Sequence, residues 1–220
     1  MDAYFNEFLI GENFAPIIDS IPVDENILSY YQGKLPDRLL GYWKEYGFAG
    51  FGDGIIWIVN PNDYQEVVDK WLKQTKLWGR ENFYAIARTG FGELYIRGDK
   101  STSTTIIDPH LNNILPGDFE TPIPDKETID RCTGIFFEIK SKKSVDYKDK
   151  NEKLLFQRCL KKYGILEHDE MYTFSTPLAL GGTADINNIK KVKILEQLSM
   201  LCDLDTPVVL PSPGELFGSI

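Results

Sequence analysis

The chain has 220 residues, of which 42% are hydrophobic and 26% charged, and it carries a formal charge of −9. That length suits one large domain or two small ones, and the composition is that of an ordinary globular fold. No apolar run reaches the roughly 18 residues a membrane span needs, and net acidity argues against nucleic acid as a direct ligand, since phosphate binding requires clustered cations.

The acidity is uneven. Residues 1–30 contain Asp2, Glu7, Glu12, Asp19, Asp24 and Glu25 and no Lys or Arg, and residues 101–130 set six carboxylates against Lys126. Residues 140–162 are basic and read as a solvated helix face. The first residues, MDAYFNEFLI, have no basic segment ahead of an apolar one, so they are not a secretory signal. Cys132, Cys159 and Cys202 are odd in number and widely spaced, as expected of reduced thiols in a cytoplasmic protein.

In chain order, aromatics among acids lead into a short helix within 21–33, for which Asp24 is the cap. Residues 35–72 then spell helix, glycine loop, buried strand, helix. Leu39, Leu40, Trp43 and Tyr46 recur at helical spacing after Pro36, and Gly47 stops the run. Residues 55–59, IIWIV, read as a strand buried on both faces. Asn60 caps the next helix, whose apolar stripe is Tyr64, Val67, Val68, Trp71 and Leu72. Residues 82–88 and 93–97 form a hairpin around Thr89-Gly90-Phe91-Gly92, and 101–107 add a strand. Residues 108–124 read as a long surface connection and 135–140, IFFEIK, as a strand. A helix carries Leu155, Cys159 and Tyr163 and stops at Gly164. The stretch 188–201 reads as one Asn-capped amphipathic helix, and the proline-rich tail as an extended strap or a frayed end.

Chemical motifs are scarce. Gly47, Gly50, Gly52 and Gly54 follow a helix and enter a strand, the reverse of a phosphate-binding loop, and no Gly-Lys-Ser/Thr is present. His110 and His168 have no neighbours at metal-ligand spacing. The run Glu167-His168-Asp169-Glu170 offers carboxylates but reads as an exposed turn. With no G-x-S-x-G and no HExxH, no catalytic residue, metal or cofactor is expected. The balance favours a binding protein. The alternative is a metal- or nucleotide-dependent enzyme whose site is assembled from scattered carboxylates.

Residues 35–72, LPDRLLGYWKEYGFAGFGDGIIWIVNPNDYQEVVDKWL, resemble the GAD-like domain. FGELYIRG at 91–98, EMYTFSTPLALGG at 170–182 and NNIKKVKILEQLSML at 187–201 resemble the domain that accompanies it in immunity proteins of bacterial type VI secretion, those that neutralise DNase effectors. Thr173 stands where the resemblance leads one to expect a glycine. The resemblance implies an α+β fold, with a mixed or antiparallel sheet flanked by helices and two lobes packed together. It divides the chain into a GAD-like domain at 1–105 and an immunity domain at 106–220, with the boundary falling within 100–130. The implied partner is a nuclease toxin with a basic surface, bound without catalysis and away from membranes. The candidate contacts are loop carboxylates: Asp53, Asp118, Glu120, Glu167, Asp169 and Glu170.

Overall fold

A computed structural model describes residues 2–101, 103–119 and 123–217, apart from the side chain of Phe217. Helix α1 (Ala3–Asn6) begins where Asp2 accepts from the amides of Tyr4 and Phe5, and one π-helical turn continues it through Gly11. Phe5 and Phe8 point inward, with Phe8 stacked on Phe14 at 4.3 Å between centroids. After strand β1 (Ile18–Ile21), helix α2 (Glu25–Tyr31) starts at the expected cap, Asp24. Helix α3 (Asp37–Tyr46) follows Pro36 and ends at Gly47, burying Leu39, Tyr42, Trp43 and Tyr46.

The expected glycine loop contains an extra strand. Residues Phe48–Phe51 form β2, buried throughout, and pair antiparallel with both β1 and β3 (Ile56–Ile58). Gly50 lies opposite Trp57, and a Cβ there would come within 2.9 Å of the indole. Glycine is what lets the Trp57 ring lie against this strand. Helix α4 (Pro61–Leu72) begins at Asn60, which accepts from Asn62 N, and buries the predicted stripe. The hairpin is β4 (Phe83–Thr89) and β5 (Leu94–Gly98), followed by β6 (Thr104–Asp108). At its turn Gly92 has φ +82° and faces Met171 and Leu198 so closely that a Cβ would sit 2.5 Å from the Met171 methyl.

Three readings need correction. The connection 108–124 contains strand β7 (Asn113–Leu115), antiparallel to β6. IFFEIK is not a strand but the end of helix α5 (Lys126–Glu138). Asp125 caps α5 by accepting from Thr128 N, and Thr133 and Phe137, one turn apart, are its buried face. The stretch 188–201 is two elements. Strand β9 (Ile189–Lys193) pairs antiparallel with β8 (Glu170–Phe174), and helix α7 (Ile194–Cys202) follows it directly. Before β8, α6 (Phe156–Tyr163) ends at Gly164 as expected, and between β8 and β9 single 3₁₀ turns cover Leu178–Leu180 and Ile186–Asn188. Thr173 lies within β8 and is buried, so the strand runs straight through the position where a glycine was expected.

The tail is neither wholly extended nor loose. Strand β10 (Val208–Val209) pairs parallel with β7, and α8 (Pro213–Phe217) closes the described chain. Ser212 and Glu215 cap its start reciprocally: Ser212 N donates to the Glu215 carboxylate at 2.7 Å, and Glu215 N donates to Ser212 Oγ at 3.2 Å. The fold is α+β. One mixed sheet runs β1-β2-β3-β4-β5-β6-β7-β10, parallel only at its last pair, beside the small β8–β9 sheet, with helices packed around both.

Distant parts of the chain are tied together by partly buried and buried groups. Arg38 reaches Asp2 at 2.6 Å and its amide donates to Asp130 at 2.9 Å, which locks α1, α3 and α5. Phe91 at the hairpin turn stacks on Phe174 of β8 at 6.0 Å, and Tyr172 N donates to Gly90 O at 2.9 Å.

Candidate partner-binding surface

The turn preceding β8 gathers three of the predicted carboxylates. Glu167 N donates to Glu170 Oε2 at 3.0 Å, and Glu170 N donates to Glu167 O at 3.0 Å. Arg88 holds the turn from beneath. It is fully buried, lies over the Trp57 ring at 4.7 Å and donates to the His168 carbonyl at 2.8 Å. Burial lowers the Arg88 pKa, and the neighbouring Tyr64 and Asp169 pull it back up. On the outer side, His168 N donates to Asp19 at 2.9 Å.

These carboxylates are not all free charge. Lys193 binds both Asp169 oxygens at 2.8 and 2.7 Å, and Lys191 binds Glu170 at 2.9 Å, because β9 presents its lysines to β8. The Lys193 hydrogen bond holds the Asp169 carboxyl below its usual range. For Glu170, burial raises the carboxyl, and Lys191 together with the Glu167 backbone bond more than offsets it. Glu167 is exposed.

Asp53 and Asp118 stand on other turns. Asp53 is half-buried between β2 and β3, where it and its neighbours Gly52 and Gly54 have φ of 64°, 60° and 90°. Gln157 donates to it at 3.3 Å. Asp118 is half-buried beside a shallow cavity of about 170 Å³ that Arg80, Glu81 and Lys100 also line. Glu120 lies outside the described residues. Among the described residues no three His, Cys, Asp or Glu side chains converge as metal ligands would.

A feature that sequence reasoning missed is a cleft of about 470 Å³ between the end of α2, the flank of α4 and the loop 77–82. Tyr31 and Tyr84 meet edge-on at 5.2 Å in its wall, and the Tyr31 hydroxyl donates to Asn62 Oδ1 at 2.7 Å. Gln65 donates to Asp69 at 2.8 Å and to the Phe83 carbonyl at 3.3 Å. Tyr30 and Trp78 border it and are 55% and 50% exposed. Burial raises both wall phenols, and the carboxylates of Asp63 near Tyr31 and Asp99 near Tyr84 push further in that direction. Trp78 was legible as an outlier: it belongs to no apolar stripe, whereas Trp43, Trp57 and Trp71 are buried. A further cavity, about 580 Å³ beside buried Arg97, is lined by both signs of charge, including Lys34, Asp37, Lys126 and Asp130.

Comparison with known families finds two domain matches in succession, and the second of them is to an immunity protein of type VI secretion. Residues 4–111 match the GAD-like domain, and residues 133–205 match the C-terminal domain of the type VI secretion immunity protein Tdi1. The two matches together cover most of the chain, which carries a GAD-like domain followed by a C-terminal domain of the Tdi1 immunity type. Among solved structures, Atu4351 from Agrobacterium tumefaciens superposes with a TM-score of 0.82 at 22% identity, covering 96% of this chain and 95% of its own. That likeness is one of fold. No curated protein matches the chain.

Proposed function

We propose that this protein neutralises a type VI secretion DNase by binding it in the cytoplasm, blocking its active site or its access to DNA without catalysis. The observation that carries the reading is the pair of domain matches, at 4–111 and 133–205. The charge of −9 supports it, because a nuclease needs a basic face for DNA and an acidic protein is drawn to that face. In this reading Asp53, Asp118, Glu120, Glu167, Asp169 and Glu170 steer the encounter. Asp169 and Glu170 then exchange their lysine partners for cations of the toxin. The divisions 1–105 and 106–220 act as one binding unit.

The test is co-expression with the product of the adjacent reading frame. Rescue of growth together with a stoichiometric complex on purification is the expected result. Continued killing by a well-expressed toxin, with no complex, would overturn the proposal.

A further inference from the structure

We propose that the cleft between α2, α4 and the loop 77–82 receives an arginine side chain of the nuclease that this protein neutralises. This rests on the immunity reading above and deepens it by naming one contact surface and its chemistry.

Among the described residues, Asp69 and Glu81 line the cleft and no Lys or Arg does. Glu81 is incompletely used: one carboxylate oxygen accepts from the amides of Lys100 and Ser101 at 2.8 and 2.7 Å, while the other is buried and has no hydrogen-bond partner among the described residues. Held there, Glu81 adds its charge to that of Asp69, and a cation entering the cleft gains from both. The aromatic rim suits the same guest. A guanidinium stacks on Trp or Tyr faces while its fork donates to a carboxylate, which a lysine ammonium does less well. Lys34 Nζ already lies 3.3 Å from the Tyr30 ring centroid, so the face left for the guest is that of Trp78.

Both Trp and Tyr are enriched among residues that dominate interface energetics, and both border this cleft half-exposed. Charge separates it from the cavity beside Arg97, where Lys100 and Lys126 in the lining would oppose an incoming cation. The predicted acidic turn differs again, because Lys191 and Lys193 already occupy Glu170 and Asp169.

The experiment measures association and dissociation between the purified full chain and the catalytically inactivated product of the adjacent reading frame. The variants are Trp78→Ala, Trp78→Tyr and Asp69→Lys, each first checked for an unchanged fold by circular dichroism and melting. Trp78→Ala should raise Kd roughly 10-fold or more, mainly through faster dissociation. Trp78→Tyr should stay within about 3-fold of wild type, because an aromatic face remains. Asp69→Lys should slow association and weaken binding about 10-fold. Wild-type affinity in both Trp78→Ala and Asp69→Lys overturns the cleft proposal and leaves the immunity reading standing. Sensitivity to Trp78→Ala with none to Asp69→Lys means an apolar guest and overturns the assignment of a cation. Failure of the wild-type chain to bind at all overturns both readings.

Discussion

The indole N–H of Trp71 on α4 donates to the backbone carbonyl of Leu198 on α7 across 3.1 Å, with the ring fully buried. Beside it, Lys70 donates to Ser199 O at 3.0 Å and reaches Asp203 at 2.7 Å. These contacts join the GAD-like part of the chain to the immunity part through its interior. The two parts should therefore unfold in a single transition, with tryptophan fluorescence and far-ultraviolet circular dichroism coincident in urea. Trp71→Phe should lower stability by about 2–4 kcal/mol, combining lost packing with an unpaired buried carbonyl. Two separated transitions in the wild-type protein would contradict this coupling.

His110 supplies a pH dependence. It is buried, and its Nε2 lies 2.8 Å from the Phe91 carbonyl, which can only accept, so Nε2 carries the proton and donates. Burial pushes its pKa down from 6.5 to about 4, against the pull of Asp108. A histidine depressed in the folded state binds its proton more readily when unfolded. Its contribution is therefore full above about 6.5 and is lost as pH falls toward about 4. The stability difference between wild type and His110→Gln should shrink by about 3 kcal/mol across that window, as measured by urea titration at a series of pH values.

Asp146 acts in the opposite sense. Burial raises its carboxyl to about 6, although it accepts from the amides of Leu155 and Phe156 at the start of α6. An acid raised in the folded state contributes stability that is full below its unfolded value of 3.8 and is lost as pH rises through about 6. Asp146→Asn keeps an accepting oxygen without the charge. It should be more stable than wild type at pH 8 by about 1–3 kcal/mol, and the two should converge near pH 4. Melting curves at the two pH values check this.

Charge at the turn before β8 should govern rate more than stability. Replacing Glu167 or Asp169 by lysine should shift stability by less than about 1 kcal/mol, since exposed pairs such as Asp169–Lys193 contribute little. The same changes, combined with reversals at Asp53, Asp118 and Glu170, should slow association with the toxin at low salt and flatten its salt dependence. Unchanged association rates would remove electrostatic steering from the account while leaving binding intact.

The helix–strand–helix unit at 35–72 was legible because each signal in it agreed with the others. Asn60 caps, Gly47 ends a helix, and the Tyr64–Leu72 stripe has one period. Ambiguity arose where one pattern fits two structures. Ile189 and Val192 fall three residues apart and suit a helix, yet pairing with Phe174 and Met171 makes them part of β9. In IFFEIK the run of apolar residues suggested a strand, but the Asp125 cap lies well upstream and extends the helix through it. Strands β2 and β7 were not legible, because the glycine in β2 and the Asn, Pro and Gly around β7 carry turn chemistry. Only pairing with neighbouring strands makes these segments extended. The candidate carboxylates were chosen by position on loops, and sequence carries no sign of which lysines face them. Lys191 and Lys193 come twenty or more residues later and meet the turn only across the β8–β9 pair.

The most direct measurement of the proposed role is DNA cleavage by the purified product of the adjacent reading frame, titrated with this protein. Binding without catalysis predicts that cleavage falls linearly and stops at one equivalent, and that active nuclease is recovered when the complex is dissociated. Undiminished cleavage at excess inhibitor would contradict the immunity role. Lasting inactivation by far less than one equivalent would mean that the protein acts on the toxin as an enzyme.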